Sequence, residues 1–259
     1  VLDDVWDMAH EKLLNCVDPN SSSKLLVTTR IRGLIKGCQE VSLNLLSPAE
    51  SIDLLLRTGQ VEEPDEAANE AAGRIAALVG HLPLYISICG GIICDYEGGV
   101  EWQQELPELL HEDRVNVIDD AAEEDSESST TEHVVDASLN MLKDKDAKAA
   151  FSSLGLGPED VLVPVSVAQL LCNADPDNTS KISAVSMRRS LKRLLDRHLL
   201  QGSVTEGVQM HDIVRDLVRS RLGEEGIRAK QRLVVDGFIA ACPAEGSWPV
   251  GDATGEFAA

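Results

Sequence analysis

Lys24-Leu25-Leu26-Val27-Thr28-Thr29-Arg30 is a continuous apolar run that turns polar at its end. Such a run fits a strand buried on both faces, as in a parallel sheet, where alternation of polar and apolar residues is not needed. Upstream, Val1-Leu2-Asp3-Asp4 has the same form in brief: apolar residues that end in acids. Val5 to Leu14 reads as helix, and Asn20-Ser21-Ser22-Ser23 as loop. Strand, helix and strand within roughly thirty residues make a βαβ unit. Val41 to Leu45 reads as one more short strand.

From Ser47 the period changes. Ser47-Pro48-Ala49-Glu50 is a helix start, with Ser at the cap, Pro at the first helical position and Glu completing a capping box. Ile52, Leu55 and Leu56 follow on one face. Ala67 to Val79, Leu84 to Cys94 and, more weakly, Glu101 to Leu110 complete a small helical bundle. Ile75 to Cys94 lacks Asp, Glu, Lys and Arg, but Gly80, His81 and Pro83 split it into buried helices rather than a membrane span. Beyond an acidic stretch, helices are predicted over Val135–Leu142, Ala147–Leu154, Ser166–Cys172 and Ser186–Leu200, with Val161–Pro164 extended. A β-hairpin follows around Thr205-Glu206-Gly207, and then a helix Asp212–Leu222 capped by Asp212. Helices followed by a two-stranded wing describe a winged-helix domain. The fold class is thus α/β plus mostly α: a partial parallel sheet, a helical bundle and a winged helix.

The 259 residues include 23 basic and 44 acidic ones, a formal charge of −21, with 43% hydrophobic and 26% charged residues. That composition is ordinary for a globular chain and excludes global disorder. The charge is uneven: Glu105 to Asp136 holds twelve acidic residues and one basic one, −11 of the −21. Its centre has no apolar periodicity, so a solvated, mobile linker outweighs an acidic interaction tail. The overall charge argues against nucleic acid as the main partner. The exposed cations of the Arg188–Arg197 helix keep a DNA-binding regulator as the competing reading, although a solvated face or an acidic docking partner suits them better. Six cysteines lack metal-binding spacing, and no signal-peptide pattern opens the chain; together these predict a reducing, cytoplasmic setting.

Four places could carry chemistry. Asp3 and Asp4 would emerge at the carboxyl end of a buried strand, where open α/β sheets bind ligands. One acid suits Mg²⁺ and the other an attacking water. Arg30 ends the second strand of the same unit, so its guanidinium would face the same sheet edge and suit a terminal phosphate. Pro83 opens a helix with an apolar face suited to a flat base. His211 stands at a helix N-terminus, where amides and the helix dipole favour an anion. Singly, each has a plain structural alternative: a capping loop, a surface arginine, a helix break, a histidine satisfied by Asp212.

In this order, the residues resemble the NB-ARC family of STAND signal-transduction ATPases, related to the AAA+ proteins. Val1-Leu2-Asp3-Asp4-Val5-Trp6 looks like its Walker B segment, and Lys24 to Arg30 like its sensor strand. Leu45-Ser47-Pro48-Ala49-Glu50 looks like the opening of its helical subdomain. His81-Leu82-Pro83-Leu84 is similar to its Gly-Leu-Pro-Leu motif, and Gln209-Met210-His211-Asp212 to its Met-His-Asp motif. The resemblance implies residues 1–46 as the C-terminal remnant of a nucleotide-binding domain, 47–118 as the helical bundle and 119–133 as the acidic linker. It implies 134–225 as the winged helix and 226–259 as the start of a partly disordered C-terminal region. It further implies ADP or ATP with Mg²⁺ as cofactors, Asp3 as the metal residue and Asp4 as the catalytic one. Arg30 would sense the γ-phosphate, Pro83 pack on adenine and His211 hold the β-phosphate of ADP. ADP would keep the molecule closed, and exchange for ATP would open it for self-oligomerisation, with a repeat domain downstream and a role in defence signalling. A non-hydrolysing scaffold is the further alternative. His81 departs from the family glycine. Only two residues precede Asp3, so the Walker A phosphate loop is expected upstream of Val1, and the chain alone is expected to bind nucleotide weakly or not at all.

Overall fold

The computed structural model describes residues 1–18, 20–115, 126–174 and 181–241. They fall into two compact units, Val1–Asn44 and Leu45–Ala259.

In the first unit, Val1–Val5 lies parallel to Leu26–Thr28 through one bridge, Leu2 to Val27. The Leu2 amide donates to Leu26 O at 2.8 Å, and the Thr28 amide to Leu2 O at 2.9 Å. Helix α1 (Met8–Leu14) begins later than the sequence suggests. Asp7 caps it by accepting from the Ala9 amide at 2.8 Å, while the Val5 amide is held by Thr28 O at 2.9 Å. Among the described residues of this unit the pairing stops at that bridge, and Val41–Leu45 forms no strand. An extended segment without a neighbour to share hydrogen bonds builds no ladder, and Leu43 is 95% exposed.

The second unit is helical, with one two-stranded hairpin. Its first helices are α2 (Pro48–Thr58), α3 (Glu66–Leu78), α4 (Pro83–Ile93) and, after a 3-10 turn at Cys94–Tyr96, α5 (Trp102–Val115). Ser47 and Glu50 form the capping box that starts α2. Leu55, Ala71, Ile75, Ile86, Ile88 and Leu106 are fully buried between these helices. Next come α6 (Ser126–Met141), α7 (Lys145–Leu154), α8 (Val165–Ala174) and α9 (Ala184–Asp196). Strands β1 (Gln201–Ser203) and β2 (Gly207–Gln209) pair antiparallel, and Val163 adds an antiparallel bridge to Val208. Helix α10 (Asp212–Ala241) closes the unit and is broken at Gly223, whose φ of 64° and ψ of 167° lie outside helical space.

Three further expectations change. The acidic stretch expected as a linker is helical from Ser126, because the same helix buries Val134, Val135, Ala137 and Ser138 further on; residues 119–125 lie outside the described residues. Helix α5 runs on to Val115 rather than stopping at Leu110. The residue that caps α10 is His211 and not Asp212, which is already its first helical residue. Of the C-terminal region, residues 242–259 lie outside the described residues.

One continuous core runs from Leu55 to Val218 through this unit, so the front and rear helices share their apolar filling. Helix α6 packs on α4, α5 and α10. Asp144 joins α7 to α9: it caps α7 through the Asp146 and Ala147 amides and also accepts from Ser190 at 3.2 Å and from Arg193. Buried Arg215 ties α10 to Glu159 in the loop before α8. Among the described residues no helix is long and apolar enough to cross a membrane.

Candidate functional site

Within the first unit the parallel bridge brings Asp3, Asp4, Thr28 and Arg30 together. Successive residues on a strand point to opposite faces. Here the strand ends at Asp4, whose φ of 50° is left-handed, a conformation that Asp tolerates better than most residues. Both acids consequently meet Thr28. Its hydroxyl donates to Asp3 Oδ1 and accepts the Asp4 amide at 2.8 Å. Asp4 Oδ2 accepts from the Trp6 indole at 2.9 Å, and Asp4 Oδ1 lies 3.8 Å from Arg30 Nε. The Arg30 guanidinium stands 5.4 Å from the centre of the Trp6 ring, within cation–π range.

The Arg30 and Asp4 side chains are 75% and 55% exposed, so their pairing is weak and water or a ligand competes with it readily. The oxygens assembled here are hard donors of the type Mg²⁺ prefers. Among the described residues no three or more His, Cys, Asp or Glu side chains converge as a metal cage. A Mg²⁺ at Asp3 would therefore take most of its ligands from water and phosphate, which is its usual habit in nucleotide sites. The residues present fit the group in that sense.

Pro83 and His211 lie in the second unit, each at the start of a helix. Gly80 and His81 are both left-handed, with φ of 68° and 57°. They turn the chain from the end of α3 into α4. His81 adopts the backbone conformation that suits glycine, the residue the resembling motif carries there. Three contacts hold it: its amide donates to Ala76 O at 3.0 Å, its carbonyl accepts the Leu46 amide at 3.4 Å, and its Nδ1 lies 3.0 Å from the Ser51 hydroxyl. Pro83 then occupies the first helical position, exposed, with no side-chain cap from Leu82.

His211 is placed by the hairpin. Val163 and Val208 exchange hydrogen bonds of 2.7 and 2.9 Å, and Met210 is buried, which fixes the chain as it enters α10. His211 Nδ1 accepts the Ile213 amide at 3.3 Å. A neutral ring that accepts at Nδ1 carries its proton on Nε2, so Nε2 is the atom left to donate to an anion. Both α4 and α10 pack on α6, but no hydrogen bond or cavity found among the described residues brings Pro83 and His211 together.

Sequence reasoning puts the Thr28-Thr29-Arg30 end at the edge of Asp3 and Asp4 but assigns Thr28 no role, and it misses Trp6. Their position beside Asp4 depends on the left-handed turn there, which no spacing announces. The cations of α9 are less available than they look in sequence. Arg193 pairs with Asp144 and Lys192 with Asp196, while Arg188 reaches Val204 O at 3.4 Å.

No protein-family profile matches the chain. Among curated proteins it is similar to a putative late blight resistance protein homologue of Solanum demissum, 26% identical over 254 residues. That match covers 93% of this chain and 16% of the relative. A late blight resistance protein of the same species is 26% identical over 249 residues, covering 87% of this chain and 18% of the relative. A probable disease resistance protein of Arabidopsis thaliana is 25% identical over 266 residues, covering 96% and 30%. The chain thus spans less than a third of the length of these relatives.

Proposed function

We propose that this chain is part of an NB-ARC-type nucleotide switch that serves disease-resistance signalling in the cytoplasm. The observation that carries the reading is the joining of Asp3, Asp4, Thr28 and Arg30 on one pair of parallel segments. The ordered helix starts at Pro83 and His211 and the resistance proteins it is similar to add support. In this reading α2–α5 are the helical subdomain, and α7–α10 with the hairpin are the winged helix.

Bound Mg²⁺-nucleotide supplies the charge by which the two states differ. Asp3 would hold the metal, its carboxylate oriented by the Thr28 hydroxyl. Asp4 would orient water, its carboxylate steered by the Trp6 indole. Arg30 exchanges its weak pairing with Asp4 for a terminal phosphate, and so distinguishes ATP from ADP. Pro83 offers an apolar, donor-free surface to the base. Nε2–H of His211 donates to phosphate while Nδ1 keeps its helix cap. Differential contacts of this kind are what a two-state switch requires.

The test is nucleotide binding by a longer protein that includes the upstream phosphate-loop segment. ADP should bind. His211→Ala should shift preference from ADP towards ATP, and Arg30→Ala should remove discrimination at the γ-phosphate. Asp4→Asn should spare binding and stop turnover. Absence of nucleotide binding in that protein overturns the reading, and salt-sensitive DNA binding lost on replacing Arg188, Arg189 and Lys192 with Ala favours the DNA regulator instead. Binding without turnover that is indifferent to Asp4→Asn identifies a scaffold.

A further inference from the structure

Arg197 directly follows α9, and only 6% of its side chain is exposed. Its guanidinium joins two other parts of the unit. Nη1 donates to the backbone carbonyl of Ser138 in α6 and to the Ser138 hydroxyl, the latter at 3.3 Å. Nη2 donates to Oδ2 of Asp95, in the 3-10 turn after α4. The backbones are equally close. A Cβ on Gly91 of α4 would stand 2.6 Å from the Arg197 Cα and 3.1 Å from the Asp196 carbonyl oxygen, so only glycine allows this approach. Beside the pair opens a cleft of about 890 Å³, lined by Cys94, Asp95, Lys143, Asp146 and Arg193 among others.

Burial works against the Arg197 charge and lowers its pKa. The guanidinium stays in place only while Asp95 and Ser138 satisfy it. Asp95 is 40% exposed, so the contact sits at a rim where water competes for the acid. Once Asp95 leaves, Arg197 is buried without a counter-charge and must also move to water, so the contact breaks as a unit. The chain from Arg197 runs straight into the hairpin and on to His211.

We propose that Arg197, Asp95 and Gly91 form a releasable clamp that holds the end of α9, and the hairpin after it, against α4; its release opens the cleft and unseats the helix start that carries His211. The link to nucleotide rests on the switch reading above, whereas the clamp itself does not.

Cys94 lines the cleft, half-buried, with its thiol donating to Thr58 O at 3.3 Å, and reports on opening. The probe is the labelling rate of Cys94 by a neutral thiol reagent, on the full chain with Cys16, Cys38 and Cys242 replaced by Ser. Buried Cys89 and Cys172 serve as controls for global unfolding. Arg197→Gln should speed labelling of Cys94 by about tenfold, equivalent to 1.4 kcal/mol. Electrostatics alone predicts the opposite, because loss of a nearby cation disfavours the reactive thiolate. Loss of the Asp95 anion by itself favours the thiolate, so rates are compared per thiolate from their pH profiles; on that scale Asp95→Asn should give a similar increase, and the double variant should be no faster than the faster single one, as for residues acting together. Arg228→Ala, which breaks an exposed pair with Glu224, should change nothing. Unchanged labelling in either single variant with native circular dichroism, or additive effects in the double, overturns the clamp. Should Arg197→Gln expose Cys89 and Cys172 as well, Asp95→Asn decides. In the longer protein, a Cys94 rate indifferent to ADP overturns the nucleotide link while the clamp stands; a failure of the switch reading is read separately, as absence of nucleotide binding.

Discussion

Replacing Asp144 tests how the rear helices are held. The carboxylate accepts the Asp146 and Ala147 amides at 3.0 and 3.2 Å, the Ser190 hydroxyl at 3.2 Å, and Arg193. Asp144→Ala removes a helix cap, at a cost of about 1 kcal/mol. It also strands the Ser190 hydroxyl, whose residue is 1% exposed, at a cost of about 1–3 kcal/mol. Arg193 is 49% exposed and returns to water cheaply, so its loss contributes less than about 1 kcal/mol. The sum is a destabilisation of about 2–5 kcal/mol for Ala. Asp144→Asn keeps the cap through its one carbonyl oxygen, and its amide takes the place of Oδ2 and can donate to the Ser190 hydroxyl, so only the Arg193 pair is lost and the cost should be under about 1 kcal/mol. Urea unfolding of the whole chain, followed by far-ultraviolet circular dichroism, measures both. Equal losses for Ala and Asn would refute the reasoning, because the ion pair rather than the cap and buried hydroxyl would then dominate. The pH dependence gives a second check. Burial pushes the Asp144 carboxyl up, but the Ala147 amide, Arg193 and Ser190 together outweigh it and hold its pKa below the ordinary 3.8. A depressed carboxylate stabilises the fold above its unfolded pKa, and that contribution fades as pH falls through the folded value. The stability gap between the native chain and Asp144→Asn should therefore close on acidification below the ordinary carboxylate range.

Two glycines in helices should respond with opposite sign. Gly91→Ala should destabilise the chain by about 1–3 kcal/mol through overpacking against Arg197, and should also speed Cys94 labelling. Gly73→Ala, whose new methyl would meet only Ile52 Cδ1 at 3.6 Å, should stabilise by up to about 1 kcal/mol in thermal unfolding. At the turn into α4, His81→Gly should come out near neutral, since relief of a left-handed backbone offsets the lost contact with Ser51. His81→Ala keeps the strain and loses the contact, so it should be less stable than Gly by about 1 kcal/mol, measured the same way.

Local chemistry was legible in the sequence, and partnership was not. The Ser47–Glu50 capping box and the helix start at Pro83 were readable because all their parts lie within a few residues. The hairpin was readable from its turn. Val41–Leu45 was misread because an apolar alternation looks the same whether or not a neighbouring strand exists to bond it. The start of α6 was misread because its acidic, Ser-rich residues resemble a linker, while the burial that makes it helical is provided by Val134, Val135 and Ala137. In the acidic site, Asp3, Asp4 and Arg30 follow from residue type and position, whereas Thr28 and Trp6 needed the turn at Asp4. Arg197 and Asp95 lie 102 positions apart, and no pattern connects them. The one hint was the adjacent pair Gly90-Gly91 in a helix, a composition that usually marks a close neighbour.

The break at Gly223 has a mechanical meaning. An unbroken helix of this span would be a stiff rod of about 45 Å, and any torque at its far end would be delivered to His211. At Gly223 the backbone leaves helical space, so the front segment, anchored by Val214 and Val218, is uncoupled from the rear. The rear segment rests on α8, where Gly237 meets Ala174. A load applied beyond Ala241 must first peel that contact away and turn the joint. The histidine therefore keeps its seat under small strains and yields only to a displacement large enough to take up the slack.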